Sequence, residues 1–259
     1  MSPRKFFRGT YLGLLLAFLY SPIVVMIALS FNGSRSRAKW GGFSFKWYAE
    51  LVGDRQILSA LQLTLIIAVV ATVVATVLGT LAAIGIHAMK KRPAALIMNI
   101  SYLPMTTPDI VTGVSLMLMF VFIKLPLGFW TMLIAHIAFD TPYVLYSVMP
   151  KLKQMNVNLY EAALDLGCTP LKAVWKVIVP QIMPGVVTGA LLSFTMSLDD
   201  FVISYFTGGS TDKNLSMVIY SAARRGIEPS IYALSTIMFL VVLALLIVIN
   251  KRSSLENVA

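Results

Sequence analysis

Charged residues are scarce in this chain of 259 residues, at 12%, against a hydrophobic content of 58% and a mean hydropathy of +0.82. That balance excludes a soluble domain, in which about a quarter of the residues are charged. Cysteine is nearly missing: Cys168 stands alone, so no internal disulfide can form. The two histidines, His87 and His136, are isolated, without ligand partners at useful spacing. No cluster of sulfur and imidazole has zinc spacing, so no metal is expected. No G-x-x-x-x-G-K-S/T phosphate loop occurs, which excludes the chain as an ATPase in its own right. Internal repeats and low-complexity tracts are absent too. Acidic residues number 11 against 21 basic ones, for a net charge of +10. The basic residues form no aromatic-interleaved patch, so they read as partners of lipid headgroups and not of nucleic acid.

What the chain has in abundance is long apolar runs. Six of them, about 9–31, 59–86, 94–123, 126–149, 182–204 and 230–250, reach the ~20 residues that a spanning helix needs. The expected fold is an all-α polytopic membrane protein with six transmembrane helices in a single domain over 1–259. The first run follows Arg4, Lys5 and Arg8 as a signal peptide would, but it is too long, contains Pro22 and lacks a small-residue cleavage site. It is therefore expected to be an uncleaved first helix. Six spans put both termini on the side of the 87–92 connector and the 151–180 loop. Basic residues on that side lie in short segments near helix ends, whereas most of the opposing ones lie in two long loops, roughly 32–58 and 205–230. The positive-inside rule then assigns both termini to the cytoplasm.

The polar loop 151–180 has its own local grammar. Asn158 followed by Glu161 forms a capping-box pattern that starts a short helix, and Gly167 supplies a left-handed residue to end it. Thr169 and Pro170 suit the start of a second helix, whose apolar positions Leu171, Val174, Trp175 and Ile178 follow helical spacing. Taken alone, such a helix-turn-helix fits an amphipathic connector on the bilayer surface. The series Glu161-Ala162-Ala163, then Gly167, then Ile178-Val179-Pro180, however, resembles the cytoplasmic EAA loop of ABC-importer permeases. The resemblance implies a type I permease fold in which Glu161, Ala162, Ala163, Gly167 and Pro180 belong to a coupling loop that docks on a separate ATPase.

Acidic residues inside apolar spans come next, because a carboxylate in hydrocarbon costs about 2.5–3.5 kcal/mol on insertion scales and is kept for a reason. Asp109, Asp140, Asp199 and Asp200 qualify. Counted from the cytoplasmic ends of their helices, Asp109 and Asp199 both lie about 22 Å deep at a rise of 1.5 Å per residue. Adjacent Asp199 and Asp200 repel when both are ionised, unless a cation or donor neutralises them. Thr107-Pro108-Asp109 also reads as a helix N-terminus, where an aspartate is favoured without any ligand. The prolines Pro104 and Pro108 should break the third span, which suits the lining of a pathway. Asp140, beside Thr141-Pro142, is expected to hydrogen-bond at a kink. In the first long loop Ser44 can cap a short helix with Phe45, Tyr48, Leu51 and Val52 on one face, leaving Trp40 and Trp47 as interfacial belt aromatics.

Ser197-Leu198-Asp199-Asp200-Phe201-Val202, Thr107-Pro108-Asp109-Ile110-Val111 and Phe45-Lys46-Trp47-Tyr48 are similar to segments of spermidine/putrescine importer permeases, and the likeness extends through Glu228-Pro229 and Ala233-Leu234-Ser235-Thr236. It implies a polyamine path that includes Asp109, Asp199, Asp200 and Trp47. Carboxylates neutralise ammonium groups, and an aromatic face attracts one for about 0.5–2 kcal/mol. It also implies partners: two copies of an ATPase that binds the ATP and magnesium, a second related permease, and an extracytoplasmic polyamine-binding protein. No catalytic residue and no cofactor are expected in this chain, which would reside in a bacterial cytoplasmic membrane. A secondary cation transporter or channel could use the same aspartates but would not need the Glu161 loop. An ABC permease for another small substrate would keep the loop, although these carboxylates would serve an anion poorly.

Overall fold

The computed structural model describes residues 3–210, 212–226 and 228–256. Among them the regular structure is helical, apart from one isolated bridge between Asn32 and Phe43. The chain divides into two compact units, Met1–Leu58 with Ile219–Ala259, and Ser59–Val218.

The first unit contains α1 (Pro3–Ser30), α2 (Lys46–Gly53) and α12 (Pro229–Glu256), with α12 packed on both of the others. From Gly9 to Leu29 no residue of α1 is fully buried within the protein, although Ser30 at its end is. So much exposed Leu, Tyr and Phe needs acyl chains or another protein around it. The loop after α1 is organised by Asn32, which is 2% exposed. Its Nδ2 donates to the carbonyls of Ser36 and Lys39, and its Oδ1 accepts from the amides of Ser34 and Gly41. Two donors and two acceptors are thereby all used. Ser44 Oγ accepts from the Lys46 amide at the start of α2. Trp47 and Leu51 form the buried face of α2, and Phe45 and Val52 stay exposed, which differs from the expected apolar face.

The second unit is built from most of α3 (Arg55–His87), α4 (Lys91–Thr106), α5 (Asp109–Phe122), α6 (Phe129–Gln154), α7 (Val157–Asp165), α8 (Pro170–Ala173), a π-helical turn (Val174–Ile178), α9 (Val179–Asp199), α10 (Val202–Thr207) and the start of α11 (Leu215–Arg225). Its core centres on α6, packed against α3, α5, α9 and α10, and α6 and α9 approach closely because the second carries glycines. A Cβ on Gly189 would sit 2.9 Å from Val144 Cα, and one on Gly185 would sit 2.8 Å from the Ser147 carbonyl. Small residues that let backbones meet are how helices pack where the surroundings are already apolar.

Among the described residues four helices are long and apolar enough to cross a membrane, and five spans result if the bent pair α4–α5 counts as one; α12 adds a shorter apolar stretch, Pro229–Leu243. The pair turns by 107° at Thr107-Pro108. Pro108 has no amide to continue the ladder, and its ring forces Thr107 out of the helical region to φ −80°, ψ 138°. Pro104 remains inside α4, so the expected break falls at Pro108 alone. The fifth apolar run also differs from its expected bounds. Helix continues from Pro170 to Asp199 without an exit at Pro180, because the π-turn, in which the Val179 amide reaches the Val174 carbonyl, absorbs the proline.

Candidate functional site

Two places combine polar chemistry with exposure. The first is the elbow formed by α7 and α8. Asn156 caps α7, its side chain accepting from the Asn158 amide at 3.0 Å. The expected cap, Asn158, lies two residues further in. Glu161 is the fifth residue of the helix, too far along to reach back to the capping amide, so the expected capping box does not form. The exit is as expected. Gly167 adopts φ +86°, its amide donates to the Leu164 carbonyl, and the Cys168 amide reaches back to Ala163. These two bonds make a Schellman ending. Thr169 and Pro170 then start α8.

Ala173 is fully buried, Ile178 belongs to the core cluster of the α6–α9 interface, and Tyr160 packs against that cluster. Leu166 and Leu171 are 87% and 70% exposed, and Trp175 is largely exposed as well. Glu161 and Ala162 are exposed and Ala163 half-buried. The elbow is thus anchored at its root, continuous with a long helix, and apolar at its tip.

The second place is the gap between α9 and α10. Asp199 ends α9 and is exposed, while Asp200 turns inward. The Asp200 carboxylate accepts from the amides of Ile203 and Ser204 at 3.1 and 2.8 Å, capping α10, and its Oδ2 lies 3.5 Å from His136 Nε2. Asn214 donates to the Asp200 carbonyl and to Ser204 Oγ, and accepts from the Met217 amide. Ser216 Oγ donates to the Asp199 carbonyl. The repulsion expected of two adjacent carboxylates is relieved because they point to different surroundings.

Asp109 is the first residue of α5 and is exposed. Helix α5 packs on α10 at Gly113, where a Cβ would come 3.0 Å from Phe206 and 3.4 Å from the Val202 carbonyl. Asp109 lies one turn, about 6 Å, before that contact, and the 199–201 gap adjoins it on the α10 side. The two openings are therefore neighbours. The loop after α10 is clipped to the start of α6 by Asp212 Oδ2, which accepts from the Phe129 amide at 2.9 Å, and by Thr131 Oγ1, which donates to the Thr207 carbonyl.

Asp140 does not bond at a kink as expected. It is fully buried on α6, neither carboxylate oxygen has a well-placed hydrogen-bond partner, and Thr141 Oγ1 instead donates to the Ile137 carbonyl. Trp47 is 1% exposed and its Nε1 donates to the Asn32 carbonyl at 2.5 Å, so it belongs to the core of its unit and not to an interfacial belt. Lys46 Nζ sits 5.0 Å from the Trp47 ring centroid. Sequence reasoning missed His136, Ser197, Ser204 and Asn214. Their partners are 61 and 68 residues away for the histidine, and no local spacing announces them.

Long apolar helices, an apolar-tipped elbow continuous with one of them, and helix breaks that carry open carboxylates are the parts of a membrane permease. The chain belongs to the binding-protein-dependent transport system inner membrane components, the family whose model matches residues 75–251. It is similar to the spermidine/putrescine transport system permease protein PotC of Escherichia coli K12, at 38% identity over 248 residues covering 96% of this chain and 93% of that protein. It is 37% identical to PotC of Haemophilus influenzae over 244 residues, covering 94% and 95%. The putrescine transport system permease protein PotI of Escherichia coli K12 is 38% identical over 229 residues, covering 85% and 81%. The fold of this chain resembles that of a chain of a bacterial ABC transporter involved in the import of alginate, with a TM-score of 0.76 at 15% identity over 95% of both chains. The methionine ABC transporter MetNI aligns with a TM-score of 0.60 at 20% identity, over 78% of this chain and 96% of that one.

Proposed function

We propose that this chain is one transmembrane subunit of an ATP-driven importer for spermidine, putrescine or both, working by alternating access. The observation that carries the reading is the pair of exposed carboxylates, Asp109 and Asp199, at neighbouring helix breaks in a chain so similar to PotC and PotI. Ammonium groups along a methylene chain suit exposed carboxylates on two different helices, and an open break lets water and substrate reach them.

In this proposal the chain crosses the membrane six times, with α4–α5 as one broken span and α12 as the last. Both termini and the elbow are cytoplasmic. The elbow docks through Glu161, Ala162, Ala163 and the apolar tip at Leu166, Leu171 and Trp175 onto one of two ATPase copies, which bind the ATP and magnesium. Closure of the ATPases pushes the elbow, and because α8, the π-turn and α9 are one continuous rod, the push reaches Pro180 and then Asp199 at its far end. A second related permease completes the cavity, and an extracytoplasmic binding protein delivers the polyamine. The test is reconstitution of these components in liposomes, with uptake and ATP hydrolysis measured against spermidine, putrescine and anionic solutes. Stimulation by an anion in place of the polyamines would overturn the substrate assignment.

A further inference from the structure

His136 lies two turns into α6 and is 1% exposed, yet it uses both ring nitrogens. Nδ1 lies 2.6 Å from Ser197 Oγ and Nε2 lies 2.9 Å from Ser204 Oγ. Ser197 belongs to α9 and Ser204 to α10. The ring therefore bridges the 199–201 gap from behind, with one nitrogen bonded on each side. A helix gap strands the last carbonyls of one helix and the first amides of the next, and inside a bilayer the protein must satisfy them. Here Asp200 takes the stranded amides of Ile203 and Ser204, and Asn214 takes the Asp200 carbonyl. The imidazole bonds no stranded backbone group; it joins the two serine side chains on either side of the gap, because its two nitrogens leave opposite edges of a rigid ring. In either neutral tautomer one serine hydroxyl accepts from the ring and the other donates to it.

We propose that His136 is a positioning residue for cation handling: by stapling Ser197 to Ser204 across the gap, it keeps Asp200 turned inward as a helix cap and leaves Asp199 facing outward. Without the staple, a short non-helical stretch between two helices can rotate, and the two adjacent carboxylates exchange surroundings. The functional half of this inference rests on Asp199 lying in the polyamine path.

Orientation and transport are tested separately. Cys168 is the only cysteine, so Cys168→Ser gives a background in which Asp199→Cys and Asp200→Cys report accessibility to a small cationic thiol reagent in the assembled importer. With His136 present, labelling at 199 is expected to be at least tenfold faster than at 200. Adding His136→Phe, which keeps a ring but removes both nitrogens, should bring the two rates within about twofold. Equal rates with His136 intact, or an unchanged contrast without it, would overturn the staple.

In transport, His136→Phe should lower polyamine uptake per ATP hydrolysed about tenfold with partner co-purification unchanged. His136→Gln, which restores a contact toward Ser204, should recover part of the loss. The double variant His136→Phe/Asp199→Asn should be no worse than Asp199→Asn alone, because the histidine acts through the aspartate. Multiplied losses, or loss of uptake and hydrolysis together without rescue by glutamine, would reduce His136 to a general structural role. If Asp199→Asn transports normally while the labelling contrast holds, the substrate-path reading fails and the staple stands.

Discussion

At the scale of residues, Asp199, Asp200 and Asp140 have the same chemistry but different surroundings, and each surrounding sets its own expectation. Asp199 is open and makes no structural bond through its carboxylate that its neighbours require, so Asp199→Asn should leave assembly and melting temperature unchanged while lowering polyamine uptake about tenfold, the equivalent of about 1.4 kcal/mol. Asp200 caps α10 with both oxygens, and the amide nitrogen of an asparagine cannot accept from the Ser204 amide. Asparagine keeps one acceptor and ranks with aspartate as a cap, so Asp200→Asn should lower the melting temperature of the purified complex only slightly, whereas Asp200→Ala, which loses both bonds, should lower it by the equivalent of about 1 kcal/mol. Asp140 presents the opposite case. A buried carboxylate without a good partner costs about 1–3 kcal/mol, so Asp140→Asn should be neutral or should raise the melting temperature, measured by thermal denaturation of the same complex. The cost of burying charge made all four aspartates legible in the sequence. Nothing local separates Asp199 from Asp200, because their roles are fixed by His136 and Asn214 on other elements.

At the scale of elements, backbone chemistry was more legible than side-chain partnership. Gly167, Thr169-Pro170 and Thr107-Pro108 each act where they stand, because proline and left-handed residues constrain the chain regardless of context. The cap of α7 and the fate of Pro180 were less legible. Two asparagines compete to start the helix, and a proline that ordinarily stops one is carried through by a π-turn. The Schellman ending gives the elbow its shape, and its conformation is what a substitution would break. A Cβ at Gly167 meets open space, so the penalty is conformational and not steric. Gly167→Asn, which tolerates positive φ, should couple nearly normally. Gly167→Pro cannot adopt φ +86° and also loses the amide that donates to Leu164, so it should retain ATP hydrolysis but lose at least tenfold in uptake per ATP. Simultaneous assay of phosphate release and polyamine uptake in proteoliposomes distinguishes this from simple loss of the subunit.

At the scale of the whole molecule, the exposed face of α1 and the apolar tip of the elbow leave large apolar surfaces uncovered within this chain. The side of the membrane on which the elbow emerges decides whether an ATPase can reach it, and the chain carries its own reporter for that question. Cys168 follows Gly167 directly at the turn of the elbow and is half-buried, with no disulfide partner. A membrane-impermeant maleimide should leave the wild-type subunit unlabelled in right-side-out vesicles. It should label the subunit in inverted vesicles once the ATPase has been stripped away, and restoring the ATPase before the reagent should slow labelling because the docked surface covers the turn. Labelling from outside would place the elbow opposite the nucleotide pool, and the rod from Pro170 to Asp199 would then have nothing to receive. An elbow that labels from inside at the same rate with and without the ATPase would leave the topology standing but move the docking surface elsewhere.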